Sequence, residues 1–332
     1  MSSASSPRTR IAGVGAYAPE KILTNAALEA LVDTTDEWIR ERTGIRERHI
    51  AADGETTSDM ALVAAKRALV AANLEPSDLD MIIVGTVTSD TIFPACAAHL
   101  QHKLGAKGIP SFDVSAACAG FMYAMSIGDR FIGSGSHKNI LVVGVERLSS
   151  VTNWEDRGTC VLFGDGAGAA VLSPSRGDGA GILSTRMHTD GSLTESLLIR
   201  AGGSREPTTP ELIAGGHTKI KMIGSDIFKH AVRNLTSASL DAVKDAGMEL
   251  ADVDWIIPHQ ANMRIISQVA ARLKVPQEKL VLNIERYGNT SSASIPLAWN
   301  EAIQDGRIKP GQTVLACALG GGVSWASALI RM

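Results

Sequence analysis

Short runs of apolar residues alternate along the chain with longer stretches of helical periodicity. Asp80–Val84, Ser111–Ser115, Asn139–Val145, Cys160–Phe163 and Ala167–Leu172 have the length and Val/Ile density of strands. Thr57–Ala72, Ala95–Leu104, Gly120–Ile132, Gly224–Ala246, Met263–Leu273 and Ser294–Asp305 place apolar residues three and four apart, as one face of a helix requires. Two further strands are expected at Leu280–Ile284 and Thr313–Cys317. Near-continuous apolar strands between helices predict an α/β fold with sheets covered on both faces.

The pattern repeats once at an offset of 174 residues. Asp78-Leu-Asp-Met-Ile-Ile83 resembles Asp252-Val-Asp-Trp-Ile-Ile257, and Ile140-Leu-Val-Val143 falls on Val314-Leu-Ala-Cys317. Ala64, Ala68 and Ala72 fall on Ala238, Ala242 and Ala246 in the same register. Two related halves are expected, residues 1–178 and 179–332, meeting in the Gly-rich Pro174–Gly181 segment, with a site at their junction.

Composition narrows the class. The chain has 332 residues, 45% hydrophobic and 20% charged, with a net charge of −3. That is a globular profile, and it does not suggest a dedicated nucleic-acid binder. The polar stretch Met1–Arg10 lacks the apolar core of a signal peptide, so a cytoplasmic location is the expectation. Cys96, Cys118, Cys160 and Cys317 are widely spaced, which argues against a zinc site or a disulfide framework.

Four segments carry candidate chemistry. In Phe112-Asp-Val-Ser-Ala-Ala-Cys-Ala-Gly-Phe121, Cys118 stands where a strand gives way to a helix. Helix N–H groups there favour a thiolate, the reactive form of cysteine. A buried, inert cysteine is the plainer alternative. In Ile256-Ile-Pro-His-Gln-Ala-Asn262, His259 follows the end of a strand, where α/β proteins bind ligands; an ordinary loop histidine is the alternative. In Glu285-Arg-Tyr-Gly-Asn-Thr-Ser-Ser-Ala-Ser294, Asn289 lies in a turn that the offset sets opposite the Cys118 turn. In Ala318-Leu-Gly-Gly-Gly-Val323, bare glycine backbone could approach a substrate oxygen. Gly164-Asp-Gly-Ala-Gly-Ala169 fits a dinucleotide fingerprint in letters only, because it leads into a strand rather than a helix.

Together these segments resemble the thiolase-like condensing enzymes, and among them the β-ketoacyl-acyl-carrier-protein synthase III family. The likeness runs from Arg10 to Met332. It includes Ile11-Ala-Gly-Val-Gly-Ala-Tyr-Ala-Pro19 and Asp36-Glu-Trp-Ile-Arg-Glu-Arg-Thr-Gly-Ile45. It implies a duplicated five-layered α-β-α-β-α sandwich and a homodimer. It implies that Cys118 is acylated by a short acyl-coenzyme A, acetyl above all, with His259 and Asn289 completing the triad. The N–H groups of Cys118 and Gly321 would form the oxyanion hole. Trp38, Arg42, Arg157, Gly224, Phe228 and Asn262 would bind coenzyme A, which is substrate rather than cofactor.

The resemblance also implies malonyl-acyl carrier protein as the second substrate. Gln260, Ala261, Asn262, Met263, Arg264, Arg272 and Lys229 would meet that acidic carrier. Phe93, Leu148, Leu162 and Leu319 would shape the acyl pocket, with Phe93 reaching into a partner subunit. Leu319 departs from the phenylalanine usual in the family. No metal is implied. A specialised acyltransferase on the same scaffold stays open. A papain-like hydrolase fits the residue types but not their order or their place in two mirrored halves.

Overall fold

The computed structural model describes residues 8–332, so most of the polar Met1–Arg10 stretch lies outside the described residues. The first half begins with β1 (Thr9–Tyr17). A two-stranded ladder, β2 (Lys21–Thr24) and β3 (Glu47–Ile50), brackets helices α1 (Asn25–Glu29) and α2 (Asp36–Thr43). There follow α3 (Thr57–Ala72), β4 (Met81–Gly85), α4 (Cys96–Leu104), β5 (Ser111–Val114), α5 (Gly120–Gly133), β6 (Ile140–Glu146), α6 (Arg157–Cys160) and β7 (Gly166–Pro174).

The second half opens with β8 (Gly181–Thr189). A small excursion carries β9 (Leu197–Ile199), α7 (Pro210–Ala214) and β10 (Ile220–Met222). Then come α8 (Gly224–Asp245), β11 (Trp255–Pro258), α9 (Met263–Leu273), α10 (Ile284–Tyr287), α11 (Ser294–Gln304), β12 (Thr313–Gly320) and β13 (Ser324–Arg331).

One sheet has the order β1-β7-β6-β4-β5, the other β11-β12-β13-β8. Strand alternation sends side chains to opposite layers. On β4, Met81 and Ile83 face the α5 side, while Ile82 and Val84 face α3 and α4. Helices α5 and α11 lie between the two sheets, with Phe121, Met125, Ile295 and Trp299 in one shared core. Helices α3 and α4 cover the outside of the first sheet, and α8 and α9 the outside of the second. The result is five layers. The start of α3 is sealed by a capping box, in which Thr56 and Asp59 satisfy each other's backbone N–H groups.

The 174-residue repeat is visible in three dimensions. Strand β4 begins 174 residues before β11, and α5 begins 174 residues before α11. The turns before these two helices share a backbone anomaly: Ala117 has φ 45° and Ser291 has φ 49°. Left-handed backbone is uncommon in non-glycine residues and collects at functional sites.

Two expected strands are absent. Cys160–Phe163 is mostly not extended, because Asp156 caps α6 by accepting from Gly158 N at 2.8 Å and Thr159 Oγ1 at 2.8 Å. Only Phe163 makes a bridge, to Asn289. Leu280–Ile284 forms one bridge, Ile256 to Leu280, and then turns into α10. Its backbone is taken up by a side chain: Gln260 accepts from Asn283 N and Ile284 N and donates to Val281 O. Among the described residues, no helix is long and apolar enough to cross a membrane.

Candidate active site

Cys118 lies in a single 3₁₀ turn, Ala117–Ala119, between β5 and α5. Backbone crowding there is extreme. A Cβ on Gly320 would stand 2.4 Å from Cys118 N, so only glycine lets β12 end against the cysteine. On the other side, a Cβ on Gly144 would stand 2.2 Å from Ser292 O, which presses the second half's turn onto β6.

Cys118 is 8% exposed. Burial pushes its thiol up to about 12, with a Ser291 hydrogen bond acting the other way and the Glu146 charge adding to the rise. Burial thus works against the thiolate that the helix start favours.

His259 follows β11, and its backbone N–H donates to Cys317 O at 2.8 Å. The ring is 4% exposed, and burial alone pushes it down to about 3, so it is neutral across the physiological range. Its Nδ1 lies 2.6 Å from Ser294 Oγ, while Nε2 is buried with no protein partner. Asn289 is held by its backbone, which donates to Leu162 O at 2.8 Å and accepts from Gly164 N at 3.0 Å. Its Oδ1 accepts from Ser291 N at 2.9 Å, which leaves the amide hydrogens as the free donors.

Two cavities meet at Cys118. One, of about 610 Å³, runs past Val87, Leu148, Phe163, Ile199 and Ser291. The other, of about 470 Å³, is lined by Gly224, Phe228, His259, Asn262, Arg264 and Asn289. The structure thus brings Cys118, His259 and Asn289 to one junction. Gly321 lines the first cavity beside Cys118. Leu148 also lines the first cavity, whereas Leu162 and Leu319 line the second.

At the outer surface, Trp38 lies between two guanidinium groups in contact range. Arg42 Cζ is 4.5 Å and Arg157 Cζ 4.8 Å from the ring centroid. Arg157 is steadied by a hydrogen bond that it donates to the Asp33 carbonyl at 2.8 Å. Exposed Lys229, Arg264 and Arg272 lie on α8 and α9, and the Asn262 side chain caps α9 by accepting from Arg264 N at 2.8 Å.

One expected position is corrected. Gln260 is 1% exposed, and its amide braces Pro258, Val281, Asn283 and Ile284, so it offers nothing to a docking partner. Phe93, expected to reach a partner subunit, is 84% exposed beside Ile92 and lines neither Cys118 cavity of its own chain. Met263 packs over Gly44, joining α9 to α2, and Ala261 lines the second cavity. Ser291, Ser294 and Glu146 were not singled out by sequence. The two serines lie inside the Asn289 turn, but a serine in such a turn signals only turn chemistry.

Comparison with known proteins decides the family. The model for 3-oxoacyl-[acyl-carrier-protein] synthase III matches residues 112–191, and that for its C-terminal part matches residues 243–332. The chain belongs to the 3-oxoacyl-[acyl-carrier-protein] synthase III family. It is 51% identical over 329 residues to the β-ketoacyl-[acyl-carrier-protein] synthase III of Paramagnetospirillum magneticum, covering 98% of this chain and 99% of that one. The crystal structure of the Aquifex aeolicus 3-oxoacyl-[acyl-carrier-protein] synthase III matches with a TM-score of 0.90 and 48% identity, covering 98% of this chain and 100% of that one. The priming β-ketosynthase of the R1128 polyketide pathway matches with a TM-score of 0.91 and 35% identity, covering 100% of this chain and 98% of that one. Family members are acyltransferase-type condensing enzymes, and the five-layered fold is theirs.

Proposed function

We propose that this synthase loads a short acyl group from coenzyme A onto Cys118 and condenses it with malonyl-acyl carrier protein, starting fatty-acid synthesis. The observation that carries this reading is the meeting of Cys118, His259 and Asn289 where two cavities join. One cavity suits the acyl chain, the other the thioester arm.

In the first half-reaction the Cys118 sulfur attacks the acyl thioester, and the coenzyme A thiol leaves. A sulfur nucleophile suits this exchange because it is also a good leaving group in the next step. Backbone N–H groups of Cys118 and Gly321 hold the developing oxyanion. In the second half-reaction malonyl-carrier protein enters along the second cavity. Its loss of carbon dioxide leaves an enolate, whose oxygen takes hydrogen bonds from His259 Nε2–H and the Asn289 amide. A neutral His259 can serve because its Nε2 donates when the ring proton sits there. The enolate carbon then attacks the acyl-Cys118 carbonyl, and a β-ketoacyl-carrier protein departs.

Trp38, Arg42 and Arg157 take the adenine end of coenzyme A. Because Arg157 rests on Trp38, nucleotide binding displaces one guanidinium and replaces a stack with a stack. Gly224, Phe228 and Asn262 line the pantetheine path. Lys229, Arg264 and Arg272 face the acidic carrier, and the thioester supplies the activation that a cofactor would otherwise bring. A second copy of the chain covers the exposed Ile92 and Phe93, and there Phe93 limits the depth of the acyl cavity to short primers. The enzyme works in the cytoplasm.

The test is product formation. Purified protein with acetyl-coenzyme A and malonyl-carrier protein yields acetoacetyl-carrier protein. Failure to form any β-ketoacyl product from a panel of acyl-coenzyme A esters contradicts the reading.

A further inference from the structure

Behind the wall of the Cys118 cavity lies a carboxyl group that the reaction does not use. Glu146, at the end of β6, is fully buried. None of the ion pairs formed by described residues involves it. Instead it accepts from Thr86 Oγ1 at 3.3 Å, from Val87 N at 3.2 Å, from Thr88 Oγ1, and from Ser291 Oγ at 3.2 Å.

Thr86 Oγ1 already accepts from Thr88 N at 3.1 Å, and Thr88 Oγ1 from Arg147 N at 2.9 Å. Both are thus free to give their own hydrogens to Glu146. The Val87 N–H and the two threonine hydroxyls suit an ionised carboxylate, which only accepts, and Ser291 shares its one hydrogen between Glu146 and the Cys118 sulfur. Two of the residues that hold it, Val87 and Ser291, line the same cavity as Cys118. An anion without a counter-ion thus lies directly behind the acyl-binding wall.

We propose that Glu146 is a specificity-determining residue that keeps carboxylate-bearing acyl groups off Cys118. The chemistry demands such a filter. This enzyme handles an uncarboxylated primer and a carboxylated extender, both as thioesters, and only the primer belongs on the cysteine. Loading is the same for every acyl group: the Cys118 sulfur–carbon bond forms, the coenzyme A sulfur–carbon bond breaks, and the cysteine proton leaves on the coenzyme A thiol. A distal carboxylate on the acyl chain adds only its repulsion from Glu146, screened less for a buried charge than between two exposed ones. The inference rests on Cys118 being the acylated residue.

The test compares butyryl-coenzyme A with succinyl-coenzyme A, whose acyl chains are equally long but end in methyl or carboxylate. Intact mass spectrometry reads the loading rate of each. Glu146→Gln raises the succinyl-to-butyryl ratio by roughly tenfold or more, as expected for removing one unscreened charge. Glu146→Asp keeps the wild-type ratio. Taking a ratio removes any general loss of activity from a disturbed loop.

A second measurement needs no variant. Burial pushes the Glu146 carboxyl up to about 7. The succinyl carboxylate stays ionised above about pH 5. The wild-type ratio is thus higher at pH 6 than at pH 8. Cys118 and His259 affect both esters alike, and among the neighbouring titratable groups Cys96, at the start of α4, feels the charges of Glu146, Asp90 and Asp113. An unchanged ratio in a folded Glu146→Gln variant overturns the proposal. If that variant does not fold, a wild-type ratio that is flat with pH overturns it. Absence of loading from every acyl-coenzyme A ester, acetyl included, would instead refute Cys118 as the acyl carrier.

Discussion

Ser294 Oγ lies 2.6 Å from His259 Nδ1 and also accepts the Gln260 backbone N–H at 3.4 Å. The serine hydrogen is therefore free to point at Nδ1, which leaves the ring's proton on Nε2. That is the tautomer that can donate to an enolate oxygen. Ser294 opens α11, so the segment that carries Asn289 also sets the histidine.

Replacing Ser294 with Ala leaves a buried ring nitrogen without a partner, at a cost of about 1–3 kcal/mol. Malonyl decarboxylation should fall roughly tenfold, while Ser294→Thr retains most of it. Equal decarboxylation rates for wild type and Ser294→Ala would remove the serine from this role.

The raised Cys118 value sets a pH course for alkylation. Only the thiolate reacts, so the iodoacetamide rate should climb about tenfold per unit from pH 7 to 10 without levelling. A plateau near pH 8 would mean that the helix N–H groups overcome burial after all.

His259 gives a stability signature. Its folded value of about 3 lies below the ordinary value of about 6.5. The contribution is complete above pH 6.5 and is lost as pH falls through that range towards 3, because the unfolded chain binds the proton first. Denaturant midpoints at pH 7 and pH 4.5 should therefore differ more for wild type than for His259→Gln. The difference is on the order of 3 kcal/mol at pH 4.5. Parallel shifts in the two proteins would contradict a buried neutral ring.

The sequence carried the architecture further than it carried the site. Apolar strand runs and the 174-residue offset were legible because burial between layers demands them, as Ile82 and Ile83 show by facing opposite cores. The Cys118, His259 and Asn289 segments announced themselves through turn residues beside reactive ones. Gln260 was misread because a motif shows adjacency, not direction: the residue next to His259 points inward, where its amide stands in for a strand. Glu146 gave no signal at all. Its neighbours come from Thr86 and Ser291, far away in the chain, and a lone glutamate after a strand looks like any surface acid.

Gln260 and Arg264 should separate in their effects. Gln260→Ala strips a buried brace and should lower stability by about 2–3 kcal/mol, read as a fall in Tm. Arg264→Glu should leave Tm within a degree or two. It should cut the use of malonyl-carrier protein roughly tenfold or more, and coenzyme A loading much less. Equal loss of both half-reactions in Arg264→Glu would argue against a docking role.

The central claim is that Cys118 carries the acyl group between two substrates. Intact mass spectrometry with peptide mapping tests it most directly. After incubation with acetyl-coenzyme A, wild-type protein should gain one acetyl group on the Cys118 peptide, and malonyl-carrier protein should then remove it. Cys118→Ala should gain none. An acetyl group that maps elsewhere, or that persists when malonyl-carrier protein is added, would contradict the account.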